Sequence, residues 1–137
     1  MRYALIDSSV YVDLWTGVLP LAGLDPVRQG LIVRHSAVVL SELQRGARTR
    51  KAIRAVQSLK RIAVSPWVPS ADEWWKAGRL VKEIGDEQDW EIGKRREFQN
   101  DALIALSART RGAVVITRNR QDFTLLSRRL QLQVVLV

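Results

Sequence analysis

Short apolar runs set between helical stretches constrain this chain more than any other feature. Tyr3 to Ile6, Leu31 to Val33, Val114 to Thr117 and Gln133 to Val137 are brief and show little alternation between apolar and polar residues. Val114 to Thr117 is β-branched throughout. Runs of this kind read as strands buried on both faces rather than strands with one wet face. Between them the signals are helical. Val10 to Trp15 is helix-like, and Ser36 is an N-cap for a helix reaching about Gly46. A basic helix is expected from about Thr49 to Lys60. Ser70-Ala-Asp-Glu73 has capping-box form and opens a helix to about Ile84. A further helix spans roughly Phe98 to Arg111 and stops at Gly112. A last one, capped by Asp122 or Thr124, runs through Arg129. Gly17, Pro20 and Pro26 break up the stretch after the first helix, and Gly85 to Gly93 reads as a polar loop. Ile62 to Val64 is another apolar run, closed by Pro66 and Pro69.

Strands separated by helices pair in parallel and are covered on both faces. The expected fold class is therefore α/β. The expected architecture is a three-layer α/β/α sandwich around a central, mainly parallel sheet of four or five strands. With 137 residues, positions 1–137 fit one domain with its own core. No apolar run approaches the roughly 20 residues of a membrane span. The chain enters its first strand without a signal peptide's apolar region, and it has no cysteine. A cytoplasmic location with no membrane partner is the resulting expectation.

Four acids stand beside or inside apolar segments: Asp7, Glu42, Asp101 and Asp122. Asp7 ends the first strand, before Ser8-Ser9. Glu42 follows Val38 and Val39 at helical spacing and so shares their apolar face. Asp101 opens Asp101-Ala-Leu-Ile-Ala-Leu, apolar nearly all round, and Asp122 follows the strand Val114 to Thr117 after a short turn. Each also has a purely structural reading. Asp7 could cap the next helix, Glu42 could pair with Arg45, Asp101 could be a first-turn acid favoured by the helix dipole, and Asp122 could be a cap. Carboxylates are rarely buried without a partner, however, and gathering four would oppose their ionisation. A divalent cation removes that conflict, and an oxygen-only site suits Mg²⁺, with Mn²⁺ as an alternative. Such a site calls for phosphodiester chemistry. Ligands of parallel sheets lie beyond the carboxyl ends of the strands, where Asp7 and the segment Asn119 to Asp122 are expected. Ser9, Thr117 and Asn119 are candidate supporting groups there, Asn119 as a neutral oxygen.

What is missing narrows the chemistry. His35 is the single histidine, which rules out a two-histidine ribonuclease and a His/Cys zinc site. No Gly-x-Ser-x-Gly elbow and no glycine-rich phosphate loop is present. The net charge of +8 is uneven: Gln44 to Arg61 holds Arg45, Arg48, Arg50, Lys51, Arg54, Lys60 and Arg61 and no acid. Such a block suits a polyanion or an acidic protein partner. Trp74 and Trp75, on an amphipathic helix, read as core or dimer contacts.

In order and spacing, Leu5-Ile-Asp7-Ser-Ser-Val, Ser36-Ala-Val-Val-Leu-Ser-Glu42-Leu, Gln99-Asn-Asp101-Ala-Leu-Ile-Ala and Ile116-Thr-Arg-Asn-Arg-Gln-Asp122-Phe resemble the PIN-domain nucleases. The likeness is to the VapC-like toxins of type II toxin–antitoxin pairs and covers essentially the whole chain. It implies a Mg²⁺-dependent endoribonuclease in which Asp7 and Asp101 hold metal, with Glu42 and Asp122 completing the pocket. It further implies RNA as substrate, a homodimer, and a cognate antitoxin whose C-terminal segment blocks the pocket. Many relatives carry an acid where this chain has Asn119. Arg45, Arg48, Arg50, Lys51 and Arg54 would bind either RNA or that antitoxin. One-metal and two-metal schemes both remain open. Rival readings are a catalytically inactive nuclease fold used for binding and a phosphoacceptor signalling domain. The second lacks the paired acids after strand one and the acceptor aspartate it would need.

Overall fold

The computed structural model describes residues 2–25 and 29–137, so Pro26 lies outside the described residues. Among the described residues four strands, six helices and a 3₁₀ turn are seen. They are β1 (Arg2–Ile6), α1 (Ser8–Trp15), the turn Leu21–Leu24, β2 (Leu31–Arg34), α2 (Ala37–Gly46), α3 (Arg50–Ile62), α4 (Ala71–Gln88), α5 (Ile92–Thr110), β3 (Ala113–Thr117), α6 (Arg120–Arg129) and β4 (Val134–Leu136). The strands form one sheet in the order β2-β1-β3-β4, parallel throughout. The α/β/α architecture expected from the sequence is the one adopted, with four strands. The run Ile62 to Val64 adds none: Ile62 closes α3, Ala63 is buried and Val64 is exposed.

The chain leaves β1 for β2 on one side and later returns to the other side of β1 with β3. The strand order therefore reverses between β1 and β3, the position at which such sheets open a crevice at their carboxyl ends. Ile6 is paired with Ile116, so Asp7 and Thr117 emerge side by side there. The Asp7 amide donates to the Ile116 carbonyl (2.9 Å), which holds that edge closed to the end.

Helix α5 carries the core. Residues 101–108 are all buried, which fits a helix apolar on every side. Leu103 and Ile104 are fully buried, and burial of one such side chain contributes roughly 1.5–3 kcal/mol. Two sequence expectations fail nearby. The stretch Gly85 to Gly93 is mostly helix, since α4 continues to Gln88 and α5 begins at Ile92 rather than Phe98. Gly85 lies inside α4 beneath the Arg95 guanidinium, which an added Cβ would meet at 2.9 Å. The turn is made instead at Asp89, whose φ of 55° is left-handed, and Arg95 fastens it through the Trp90 carbonyl (2.8 Å) and Asp86 (2.8 Å). Asp101 is consequently near the middle of its helix, and the first-turn dipole reading does not apply.

The capping box at Ser70 and Glu73 forms in both directions. Trp74 and Trp75 are not core: they are 49% and 77% exposed. No helix among the described residues is long and apolar enough to cross a membrane.

Candidate active site at the carboxyl edge of the sheet

Asp7 is 2% exposed, and its environment comes from three elements. Its Oδ2 accepts from Ser9 Oγ (2.9 Å) and Thr117 Oγ1 (2.8 Å). Both hydroxyls are themselves fixed: Arg118 N donates to Ser9 Oγ (3.1 Å) and Asn119 N to Thr117 Oγ1 (2.9 Å). Asp7 occupies the N-cap position of α1, but its side chain makes no capping hydrogen bond. Helix capping therefore does not account for this acid. Its second oxygen, Oδ1, is buried with no partner. A buried carboxylate oxygen without a donor is costly and calls for an explanation.

Asp122 sits across the pocket in the first turn of α6. It does not cap that helix. Asn119 does, accepting from Asp122 N through Oδ1 (3.2 Å). The Asn119 amide then turns its hydrogens to the acids, with Nδ2 donating to Asp122 Oδ2 (3.1 Å) and to Asp101 Oδ2 (3.4 Å). Asn119 thus offers donors rather than the free oxygen expected of it. Asp122 Oδ2 also accepts from Lys94 Nζ (2.7 Å), while Asp122 Oδ1 is buried and unpartnered. Lys94 is not among the residues expected from the sequence, because a helix starting at Phe98 leaves it in a loop. Its signal is nonetheless present: Lys94, Phe98 and Asp101 follow at helical spacing and share one face.

Asp101 lies between the two groups. Its carboxyl is pushed up to about 9 by burial first, then by the charges of Asp7, Asp122 and Glu42 and by contact with Asp122. Glu42 is pushed up to about 7 by burial and by Asp7, with Asn100, Arg45 and Ser8 pulling the other way. Its direct partner is Ser8 Oγ at 3.4 Å, and no ion pair to Arg45 closes. The four acids therefore influence one another, as expected for a shared pocket. Among the described residues, no group of three or more His, Cys, Asp or Glu is spaced to hold a metal ion as it stands. The donor chemistry nonetheless fits Mg²⁺, which takes one or two carboxylates and keeps several waters. Two buried oxygens without donors, on Asp7 and Asp122, are what a cation or its water shell would satisfy.

A groove of about 670 Å³ has Ser8 and Glu42 among its lining residues. Val12, Trp15, Leu43 and Val56 supply its apolar lining, and Arg45 and Arg48 also border it. Arg50, Lys51 and Arg54 are exposed on α3 outside the groove. The basic block thus lies on two surfaces.

Fold and site together define a class, an α/β/α domain with a parallel four-stranded sheet and acids brought to its carboxyl edge. By sequence, no family model and no curated protein matches the chain. Solved structures do match. The chain is similar to one in VapBC-1 from nontypeable Haemophilus influenzae, at 22% identity and a TM-score of 0.69, covering 98% of each chain. It is similar to one in VapBC2 from Rickettsia felis bound to a promoter DNA fragment, at 19% identity and a TM-score of 0.65, covering 99% of each. A third is VapBC-5 from Mycobacterium tuberculosis, of the VapBC family of toxin–antitoxin systems, at 20% identity and a TM-score of 0.62 over the whole of both chains. The chain thus shares its fold with chains of VapBC structures.

Proposed function

We propose that this chain is a Mg²⁺-dependent endoribonuclease and the toxin of a toxin–antitoxin pair. The observation that carries the reading is Asp7: buried, clamped through Oδ2 by two hydroxyls, left with Oδ1 unpartnered, and close enough to Asp101 and Glu42 for its charge to raise both. Likeness in fold to chains of VapBC structures supports it.

Asp7 and Asp101 would hold the metal. When bound, Mg²⁺ would polarise the scissile phosphate and lower the pKa of a bound water. The residues of the chain do the rest. Ser9 and Thr117 fix the orientation of Asp7 through Oδ2 and leave Oδ1 without a donor. Glu42, raised to about 7 and tethered only weakly to Ser8, is suited to hold or accept a proton near neutral pH. The exposed cations on α3 would bind flanking RNA phosphates. The groove bordered by Arg45 and Arg48 would receive the C-terminal segment of a cognate antitoxin, with apolar side chains against Val12, Trp15 and Leu43. A homodimer acting in the cytoplasm completes the proposal.

The test is cleavage of single-stranded RNA by the purified chain with Mg²⁺ and with a chelator. Mg²⁺-dependent cutting that Asp7→Asn lowers at least 100-fold is expected. A folded chain that cuts no RNA with Mg²⁺ or Mn²⁺ would leave the fold as a binding module.

A further inference from the structure

The Asp122 end of the pocket already contains a cation. Lys94 Nζ lies 2.7 Å from Asp122 Oδ2 and 5.0 Å from the centroid of the Trp90 ring, so its ammonium is held between a carboxylate and an aromatic face. Asp122 is buried, and the Lys94 side chain is only 31% exposed. A surface salt bridge between free-swinging side chains has neither feature. Lys94 also stands in the first turn of α5, where a positive charge opposes the helix dipole, so helix stability does not account for it. The neighbouring group at this end is again a donor, Asn119 Nδ2. Its amide cannot turn round without losing the cap, because Oδ1 is held by Asp122 N.

We infer that Lys94 is the built-in second cation of the acidic pocket, so that the pocket takes a single divalent ion, at its Asp7–Asp101 end. This rests on the proposed metal-dependent nuclease reading and chooses between its one-metal and two-metal forms. At the Asp122 end, the lysine ammonium and the asparagine amide do what a second ion would do: they neutralise a buried carboxylate and bridge it to Asp101. A second divalent ion would have to expel Lys94 and then face an amide N–H. Asp122 keeps Oδ1 without a partner, so removal of Lys94 would leave Oδ1 to an incoming ion, with Oδ2 held only by the Asn119 amide.

Titration of Mn²⁺ into the metal-free chain, with free Mn²⁺ followed by electron paramagnetic resonance, measures the ion count without reference to activity. One Mn²⁺ per chain is expected for the wild type and for Lys94→Arg, and two for Lys94→Met. Should Lys94→Met be unfolded, Asp122→Asn provides the same decision. It should still bind one Mn²⁺ with an affinity within about threefold of wild type. Two ions in the wild type, one in folded Lys94→Met, or a tenfold weaker ion in Asp122→Asn would each overturn the assignment. A wild type that binds two ions and cuts RNA would fail this inference alone. A wild type that binds none and cuts nothing would fail the nuclease reading with it.

Discussion

Asp101 carries the largest electrostatic tension among the described residues, and that tension has a sign. Its folded-state pKa of about 9 lies above the ordinary carboxyl value of 3.8, so the folded chain keeps a proton that the unfolded chain releases. The resulting stability is fully present below about pH 4 and is lost as pH rises through about 9. The metal-free protein should therefore weaken steadily across this window, by on the order of a few kcal/mol. Asp101→Asn, which cannot ionise, should flatten the trend and melt higher than wild type at pH 8. Urea unfolding at pH 5, 7 and 9 checks this, and an unchanged slope in the variant would remove Asp101 as its source. Glu42 and Asp122 differ at the same scale. Asp122 is already met by Lys94 and Asn119, whereas Glu42 has one long hydrogen bond from Ser8. Glu42→Gln should lower the single-turnover cleavage rate at least tenfold, and Asp122→Asn should lower it less. The reverse order would make Asp122 a ligand or the base.

Helix α6 begins on a residue with two duties. Asn119 caps the helix with its oxygen and bridges two acids with its nitrogen. Asn119→Asp separates them, because aspartate caps as well as asparagine but brings a further carboxylate in place of the donor. The metal-free variant should melt lower than wild type and gain more from Mg²⁺. Equal melting of the two metal-free proteins would mean that the bridge contributes little. Helix α3 has a simpler role. Neutralising Arg50, Lys51 and Arg54 should weaken RNA binding and reduce the slope of log K against log salt by roughly 0.7 for each phosphate no longer neutralised. An unchanged slope would exclude this surface from RNA binding. The elements differ in how plainly the sequence announces them. Val114 to Thr117 declares a strand by β-branching, and Ser36 and Ser70 declare helix starts by capping. The start of α5 has no such mark: Glu91 is at its N-cap without a side-chain hydrogen bond, and the first turn, Ile92-Gly-Lys-Arg95, holds no acid. Without that boundary Lys94 has no visible place in the pocket. Gly85 is opaque for the opposite reason, since it looks like a stop and is a packing site for Arg95.

At the scale of the whole molecule, the reversal of strand order between β1 and β3 gathers the site. Asp7, Ser9, Thr117 and Asn119 follow from two adjacent strand ends, and α5 brings Asp101 and Lys94 to the same edge. The convergence of acids at that edge is legible in the sequence, because each acid interrupts or ends an apolar run. The hydrogen-bonding roles of Asn119 and Lys94 are not, since they depend on side-chain directions that spacing alone does not give. The central claim is that this edge holds Mg²⁺ and is strained without it. Thermal melting at pH 8, with and without Mg²⁺, tests it most directly. The wild type should melt several degrees higher with Mg²⁺, and Asp101→Asn should start higher without metal and gain nothing from it. Equal Mg²⁺-induced shifts in both proteins, or none in the wild type at millimolar Mg²⁺, would contradict the account.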